Sequence, residues 1–275
     1  MVTQPDRPAG RGHKLQPAPV KSAALARGLT VHAPERLRPF VPELAALGAD
    51  AFAVASYGKI VPQAMLDLVP VAFNVHPSLL PLYRGATPLQ SAIRDGRTET
   101  GVTIIAMDAG MDTGEVLLRE RTPLGADETY GALHDRLAVA GAELVREAIA
   151  RYEAGTLAPR TQASIAADEG IGDAEIAATA TRPWTKADYA IDPGSPPQRI
   201  VDLVRSAAPQ PGARATLDGE TLKVLAARLA RADETEGMVT ADDGVVYHGA
   251  VLLRVTPPNR GPMSGAAWRR AAVRA

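Results

Sequence analysis

Residues 71–78 read Val-Ala-Phe-Asn-Val-His-Pro-Ser, and the fold is decided by how that octet is taken. It is a continuous apolar run interrupted by two polar residues, the form of a strand buried on both faces. In an extended chain successive side chains alternate, so Asn74 and His76 share one face and Phe73 and Val75 the other. Working outward, Ala51–Gly58 (AFAVASYG) has the same apolar form and closes on small residues, while Gly101–Asp108 (GVTIIAMD) is β-branched and gives a third strand.

Helical segments alternate with these strands. Val20–Arg27 reads as a short helix stopped by Gly28, with a short strand at Leu29–His32, and another helix falls within Arg38–Leu47. Pro88 suits the first turn of a helix over 87–94 that ends before Gly96. The longest periodic segment runs from Glu128 to Gly155, with Leu133, Leu137, Ala140, Leu144 and Ile149 on one stripe and Asp127 placed to cap it. Strand–helix alternation predicts an α/β layer domain over 1–155, Rossmann-like, with a mostly parallel sheet.

Residues 156–184 have the composition of a linker. Beyond them a helix at Gln198–Ala207 precedes short strands broken by Asp218-Gly219 and Asp243-Gly244, the dipeptide of tight hairpins. A small OB-like β-barrel over 185–275 is the expectation.

Composition excludes several chemistries. The 275 residues include no cysteine, which removes disulfides, thiolate metal sites and cysteine nucleophiles. No apolar run reaches the ~18 residues of a membrane span, and the opening MVTQPDRPAGRGHK has no apolar core of a secretory signal, so the chain reads as soluble and intracellular. The formal charge of -1 hides a polarity. Residues 1–40 hold Arg7, Arg11, Lys14, Lys21, Arg27, Arg36 and Arg38 against Asp6 and Glu35, and the tail adds Arg260, Arg269, Arg270 and Arg274 without an acid. Both ends could attract a polyanion, or be no more than solvated termini.

Asn74 and His76 end a strand at the edge where open α/β sheets place ligands. The second polar cluster, Asp108–Gly114 (DAGMDTG), follows the third strand, and its glycines let the backbone turn sharply. A plain Asx turn explains that cluster as well. Together an Asn, a His and an Asp form an acid–base and oxyanion set. No G-x-S-x-G elbow is present, which favours direct transfer between two bound substrates over a covalent enzyme intermediate. Neither G-x-G-x-x-G after a strand nor a P-loop occurs, so no NAD or ATP site is expected, and no metal.

Asn74-Val75-His76, the run SLLPLYRGATP from Ser78 to Pro88, the turn DAGMDTG and the opening VTQPDRPAGRGHKL resemble the methionyl-tRNA formyltransferases, within the 10-formyltetrahydrofolate-dependent formyltransferases. The resemblance implies transfer of a formyl group from 10-formyltetrahydrofolate to the amine of methionyl-initiator tRNA, in the cytoplasm and as a monomer. It implies Asn74, His76 and Asp112 as the catalytic set. Ser78, Leu79, Leu80 and Pro81, bordered by Ser56, Tyr57, Gly58 and Ile60, would bind the folate. Arg7, Arg11 and Lys14 would reach the acceptor stem, and the barrel would grip the tRNA body.

Two other readings share the motif: a formyltransferase of a small amine such as an amino-sugar nucleotide, and a noncatalytic tRNA-binding relative. Family members also open with an apolar strand, a Gly-Thr-Pro turn and a helix ahead of the segment that starts here at Val2. Without that strand, neighbouring strand edges are expected to be exposed.

Overall fold

The structure is a computed structural model that describes residues 1–9 and 14–272. The chain packs as two units, Met1–Val75 with Ile105–Glu115, and His76–Ile104 with Val116–Ala275.

The first unit opens with a hairpin that the sequence did not announce. Strand β1 (Arg7–Ala9) pairs antiparallel with β2 (Lys14–Gln16), Arg7 opposite Gln16. Three-residue strands are too short to show a period, which is why the segment reads as loop. The hairpin is tied down by Lys21 on Asp6 at 2.8 Å and Arg7 on Glu35 at 3.4 Å. Helix α1 (Pro19–Leu25) starts on its proline and is followed by Gly28 in the left-handed region. The strand expected at Leu29–His32 is reduced to one parallel bridge between Val2 and His32.

A 3₁₀ turn at Arg38–Phe40 leads into α2 (Val41–Ala46), then β3 (Phe52–Ala55), α3 (Gln63–Leu66) and β4 (Ala72–His76). β3 and β4 pair in parallel, Phe52 opposite Ala72. Leu37, Phe40, Leu44 and Met65 form the core here, with Phe52 and Tyr57 packed against it. β3 differs from its reading: it is the first strand in the sheet order, and half-buried Phe52 and Val54 alternate with exposed Ala53 and Ala55. β4 is the buried strand, with Phe73 fully enclosed.

The chain continues through α4 (Pro88–Arg94), β5 (Glu99–Ala106) and β6 (Val116–Pro123), giving the order β3-β4-β5-β6. The sheet is mixed. Ala106 N–H donates to Glu115 C=O at 2.9 Å and Leu124 N–H to Thr98 C=O at 2.9 Å, so β6 returns antiparallel to β5. Gly114 makes that turn possible, because a Cβ there would lie 1.7 Å from Ala106 O.

Helix α5 (Tyr130–Glu153) buries Leu133, Leu137, Gly141, Leu144 and Ala148. Its cap is Thr129, whose hydroxyl accepts from Ala132 N–H, and not Asp127, which lies too far upstream for the first turn. The segment read as a linker carries α6 (Gln162–Glu169) and α7 (Asp173–Thr179), alanine-rich helices too short to show a stripe. Helix α8 (Pro197–Ala207) then packs on an antiparallel sheet of β7 (Ala213–Leu217), β8 (Glu220–Leu229), β9 (Val245–Tyr247), β10 (Ala250–Thr256) and β11 (Met263–Ser264).

The path of that sheet is β11-β10-β8-β7, with β9 on β10, and register shifts near Leu252 and Arg254 bend it into a half-barrel. Ile200, Val204, Leu222, Val224, Leu252 and Trp268, the last from α9 (Gly265–Ala272), fill its concave side. Asp218-Gly219 forms the expected two-residue hairpin, both residues at positive φ. Asp243-Gly244 closes a wider loop instead, Thr240 N–H donating to Gly244 C=O at 3.0 Å, and the tight turn from β9 to β10 is made by His248-Gly249. No helix among the described residues is long and apolar enough to cross a membrane.

Candidate active site

β4 delivers Asn74 and His76 at its C-terminal end, two residues apart as the alternation required. In the first unit the Asn74 amide donates from Nδ2 to Asp112 Oδ1 at 3.3 Å. Asp112 belongs to the turn between β5 and β6, at a φ of +56°. The turn itself is held by Asp108, whose Oδ1 accepts from Gly110 N–H at 3.0 Å and from the Thr113 hydroxyl at 2.7 Å. Of the two aspartates in DAGMDTG, one builds the turn and the other meets Asn74.

In the second unit His76 is 4% exposed, and its Nε2 lies 2.9 Å from the Tyr83 carbonyl oxygen. A carbonyl can only accept, so Nε2 carries the proton, and in the neutral ring Nδ1 is the basic nitrogen. Sequence reasoning missed Tyr83. Its part is played by a backbone carbonyl, which leaves no residue-type signature.

The segment after His76 is fully tied. Ser78 Oγ donates to Leu82 C=O at 2.7 Å, Thr103 Oγ1 donates to Ser78 C=O at 2.7 Å, and Leu80 N–H donates to Thr103 Oγ1 at 3.2 Å. Ser78, Leu80 and Pro81 are buried, while Leu79 is half-buried. Leu79 lines a cleft of about 480 Å³ in this unit with Tyr83, Arg97, Arg121, Glu169 and Glu175. Arg97 pairs with Glu175 at 2.7 Å and Arg121 with Glu99 and Glu169 at 2.5 Å, so each acid lining the cleft is paired with one of its two arginines. Burial pushes the Tyr83 phenol up to about 12.

Residues 56–60 contrast with that segment. Ser56 and Gly58 both have positive φ, and Ile60 is 83% exposed. The Tyr57 hydroxyl is buried with no hydrogen-bond partner among the described residues, and burial raises its pKa. Of the expected tRNA contacts, Arg7 is exposed on β1, Lys14 is the β2 residue opposite Ala9, and Arg11 lies outside the described residues. Arg269 pairs with Asp218 and Arg270 with Asp243, while Arg274 lies outside the described residues. Among the described residues no group of three or more His, Asp or Glu side chains could hold a metal ion.

Residues 1–149 match the formyl transferase family model and residues 183–270 the model of the formyl transferase C-terminal domain. The methionyl-tRNA formyltransferase of Stutzerimonas stutzeri is 44% identical over 242 residues, covering 87% of this chain and 74% of that protein. Among solved structures, HypX from Aquifex aeolicus in complex with tetrahydrofolic acid superposes with a TM-score of 0.62 at 17% identity, over 90% of this chain and 43% of that longer one. The chain thus spans under half of HypX. WlaRD, a sugar 3N-formyl transferase, gives a TM-score of 0.63 at 14% identity, over 88% of this chain and 82% of that one. Those two share the fold. The sequence relationship goes further: matched over more than half its length and 44% identical to a relative along most of it, the chain belongs to the formyl transferase family and carries both of that family's domains.

Proposed function

We propose that this chain transfers the formyl group of 10-formyltetrahydrofolate to the amine of methionyl-initiator tRNA, acting as a monomer in the cytoplasm. The observation that carries the reading is the 44% identity to a methionyl-tRNA formyltransferase along 87% of the chain, and the Asn74–Asp112 pair, set on the strand that two residues later supplies His76, is the geometry that suits formyl transfer. The methionyl amine attacks the formyl carbon, the new C–N bond forms, and the carbonyl oxygen becomes an oxyanion. Asn74 has two amide hydrogens: one is held by Asp112, and the other serves the oxyanion. His76, which donates from Nε2 to the Tyr83 carbonyl, is the proposed second donor to that oxygen. Asp112 accepts the amine proton directly or through water and returns it as the bond to folate N10 breaks.

Residues 56–60 are the proposed border of the folate site, where Ser56 and Gly58 turn the backbone at positive φ and Ile60 presents an exposed apolar side chain. With Ser78–Pro81 they form the proposed folate-binding set, where buried Ser78 and Leu80 would act through their backbone. Arg7, Arg11 and Lys14 are the proposed acceptor-stem contacts. In this reading 1–155 performs the chemistry, 156–184 joins it to the rest, and 185–275 holds the tRNA body.

The test is one assay: charged initiator tRNA with 10-formyltetrahydrofolate, alongside an amino-sugar nucleotide as competing acceptor and His76→Ala and Asp112→Ala as controls. Formyl-methionyl-tRNA from the wild type and loss in both variants is expected. A well-folded protein that formylates no tRNA rejects the reading.

A further inference from the structure

Tyr83 sits at a φ of +59°, a region that a bulky side chain rarely adopts, so something beyond its own preference holds it there. What holds it is the segment that composition marks as a linker. Tyr83 N–H donates to Thr179 Oγ1 at 3.4 Å, and Thr179 is itself anchored by donating to Glu175 C=O at 2.9 Å. The next residue, Arg84, presents its carbonyl to both Thr181 N–H at 2.7 Å and Thr181 Oγ1 at 2.9 Å. Thr181 Oγ1 also accepts from Thr87 N–H at 3.1 Å, and Thr87 Oγ1 donates to Arg182 C=O at 2.9 Å.

Two further ties reach the same loop. The Arg84 guanidinium donates to Gln162 Oε1 at 2.7 and 2.9 Å. The Tyr83 hydroxyl accepts from Arg97 Nε at 2.8 Å and faces Asp95 at 3.2 Å, while Arg97 is pinned to Glu175 of α7. Contact is close: a Cβ on Gly85 would fall 2.1 Å from Thr181 O. A flexible tether would not be bound to one loop by this many short hydrogen bonds.

We propose that residues 179–182 are a positioning strap for His76. By fixing the backbone of Tyr83 and Arg84, the strap holds the Tyr83 carbonyl where it accepts from Nε2, and so sets which ring nitrogen is basic. Thr181 is the central positioning residue, because one hydroxyl serves both Arg84 and Thr87. The inference deepens the proposed function and rests on it for the role of His76.

The test compares Thr181→Val, which keeps the shape and the N–H, with Thr181→Ser, which keeps the hydroxyl. Imidazole ¹⁵N resonances of His76 are recorded without substrate, and kcat and KM are measured for both substrates. The valine variant is expected to lose about tenfold in kcat with each KM within about twofold, and to shift the His76 tautomer signals. The serine variant should restore both. Tyr83→Phe, which cuts the ties to Asp95 and Arg97, should change the same observables in the same direction and serves if the valine variant unfolds. Unchanged ¹⁵N signals in folded variants overturn the strap, whatever the rates do. The resonances are read without turnover, so a wild type that transfers no formyl group rejects the functional reading while leaving the tautomer result to stand by itself.

Discussion

β3 and β4 are neighbours of nearly the same composition, yet they behave as opposites. Both are short apolar runs ending in small or polar residues, and both read as buried. β4 lies inside the sheet order with Phe73 fully enclosed, and the segment after it has its polar atoms satisfied one by one: His76 on Tyr83, Ser78 on Leu82 and Thr103, Leu80 on Thr103. β3 is the first strand of the order, half its residues are exposed, and the segment after it carries a phenol with no partner among the described residues and an exposed isoleucine. Composition marks a strand; its place in the sheet, set by pairing with distant residues, decides whether it is a rigid platform or an open edge. Pre-organised catalytic groups need the first kind.

Substitutions along the two strands can break that contrast. The largest effect is expected for His76→Ala, a loss of about 10²–10⁴ in kcat, whereas Tyr57→Phe should leave kcat within a few-fold. Steady-state formyl transfer measures both, and comparable losses would erase the distinction. Next, Phe73→Ala should cost about 3–5 kcal/mol of stability in urea unfolding, and Phe52→Ala, already half-exposed, clearly less. Equal costs would mean that β3 is as buried in solution as β4.

The hydrogen-bonding difference predicts a smaller pair of effects. Ser78→Ala removes a partner from Leu82 C=O and should destabilise by about 1–3 kcal/mol, while Tyr57→Phe removes an unsatisfied hydroxyl and should be neutral or stabilising. A stabilising serine change, or a costly tyrosine one, reverses the assignment. Least in size is a pH effect at the β4 end. The Tyr83 phenol is raised from 10.0 to about 12, so the folded state keeps the proton that the unfolded chain has lost between those values. Stability from this group is complete below about pH 10 and falls as pH rises through about 12. Melting curves across that window should be flatter for Tyr83→Phe; an identical slope rejects the assignment.

The contrast also shows what was legible in the sequence. Apolar runs located β3, β4 and β5, and the two-residue spacing of Asn74 and His76 followed from local geometry. The residues and the family resemblance put Asn74, His76 and Asp112 in one set, with Asp112 orienting His76; the hydrogen bond that joins Asp112 to Asn74, 38 positions away, has no signature in the chain. β6 went unread because its second half, Arg119-Glu120-Arg121-Thr122, is polar and faces solvent or ion pairs. Thr129 displaced Asp127 as a cap since helix starts are decided by backbone angles that composition does not show. Tyr83 was out of reach for a different reason: main-chain carbonyls are common to every residue.

The hairpin at the start of the chain carries a consequence for how a polyanion would be felt. Arg7 already holds Glu35, and Lys21 already holds Asp6. A phosphate that takes Arg7 displaces Glu35, and the carboxylate so released gathers a cation from solution while the phosphate gives one up. The two ion movements oppose each other. Each pre-paired cation therefore contributes less than the ~0.9 per contact that an unpaired one adds to a log–log salt plot, and the slope will undercount the contacts made.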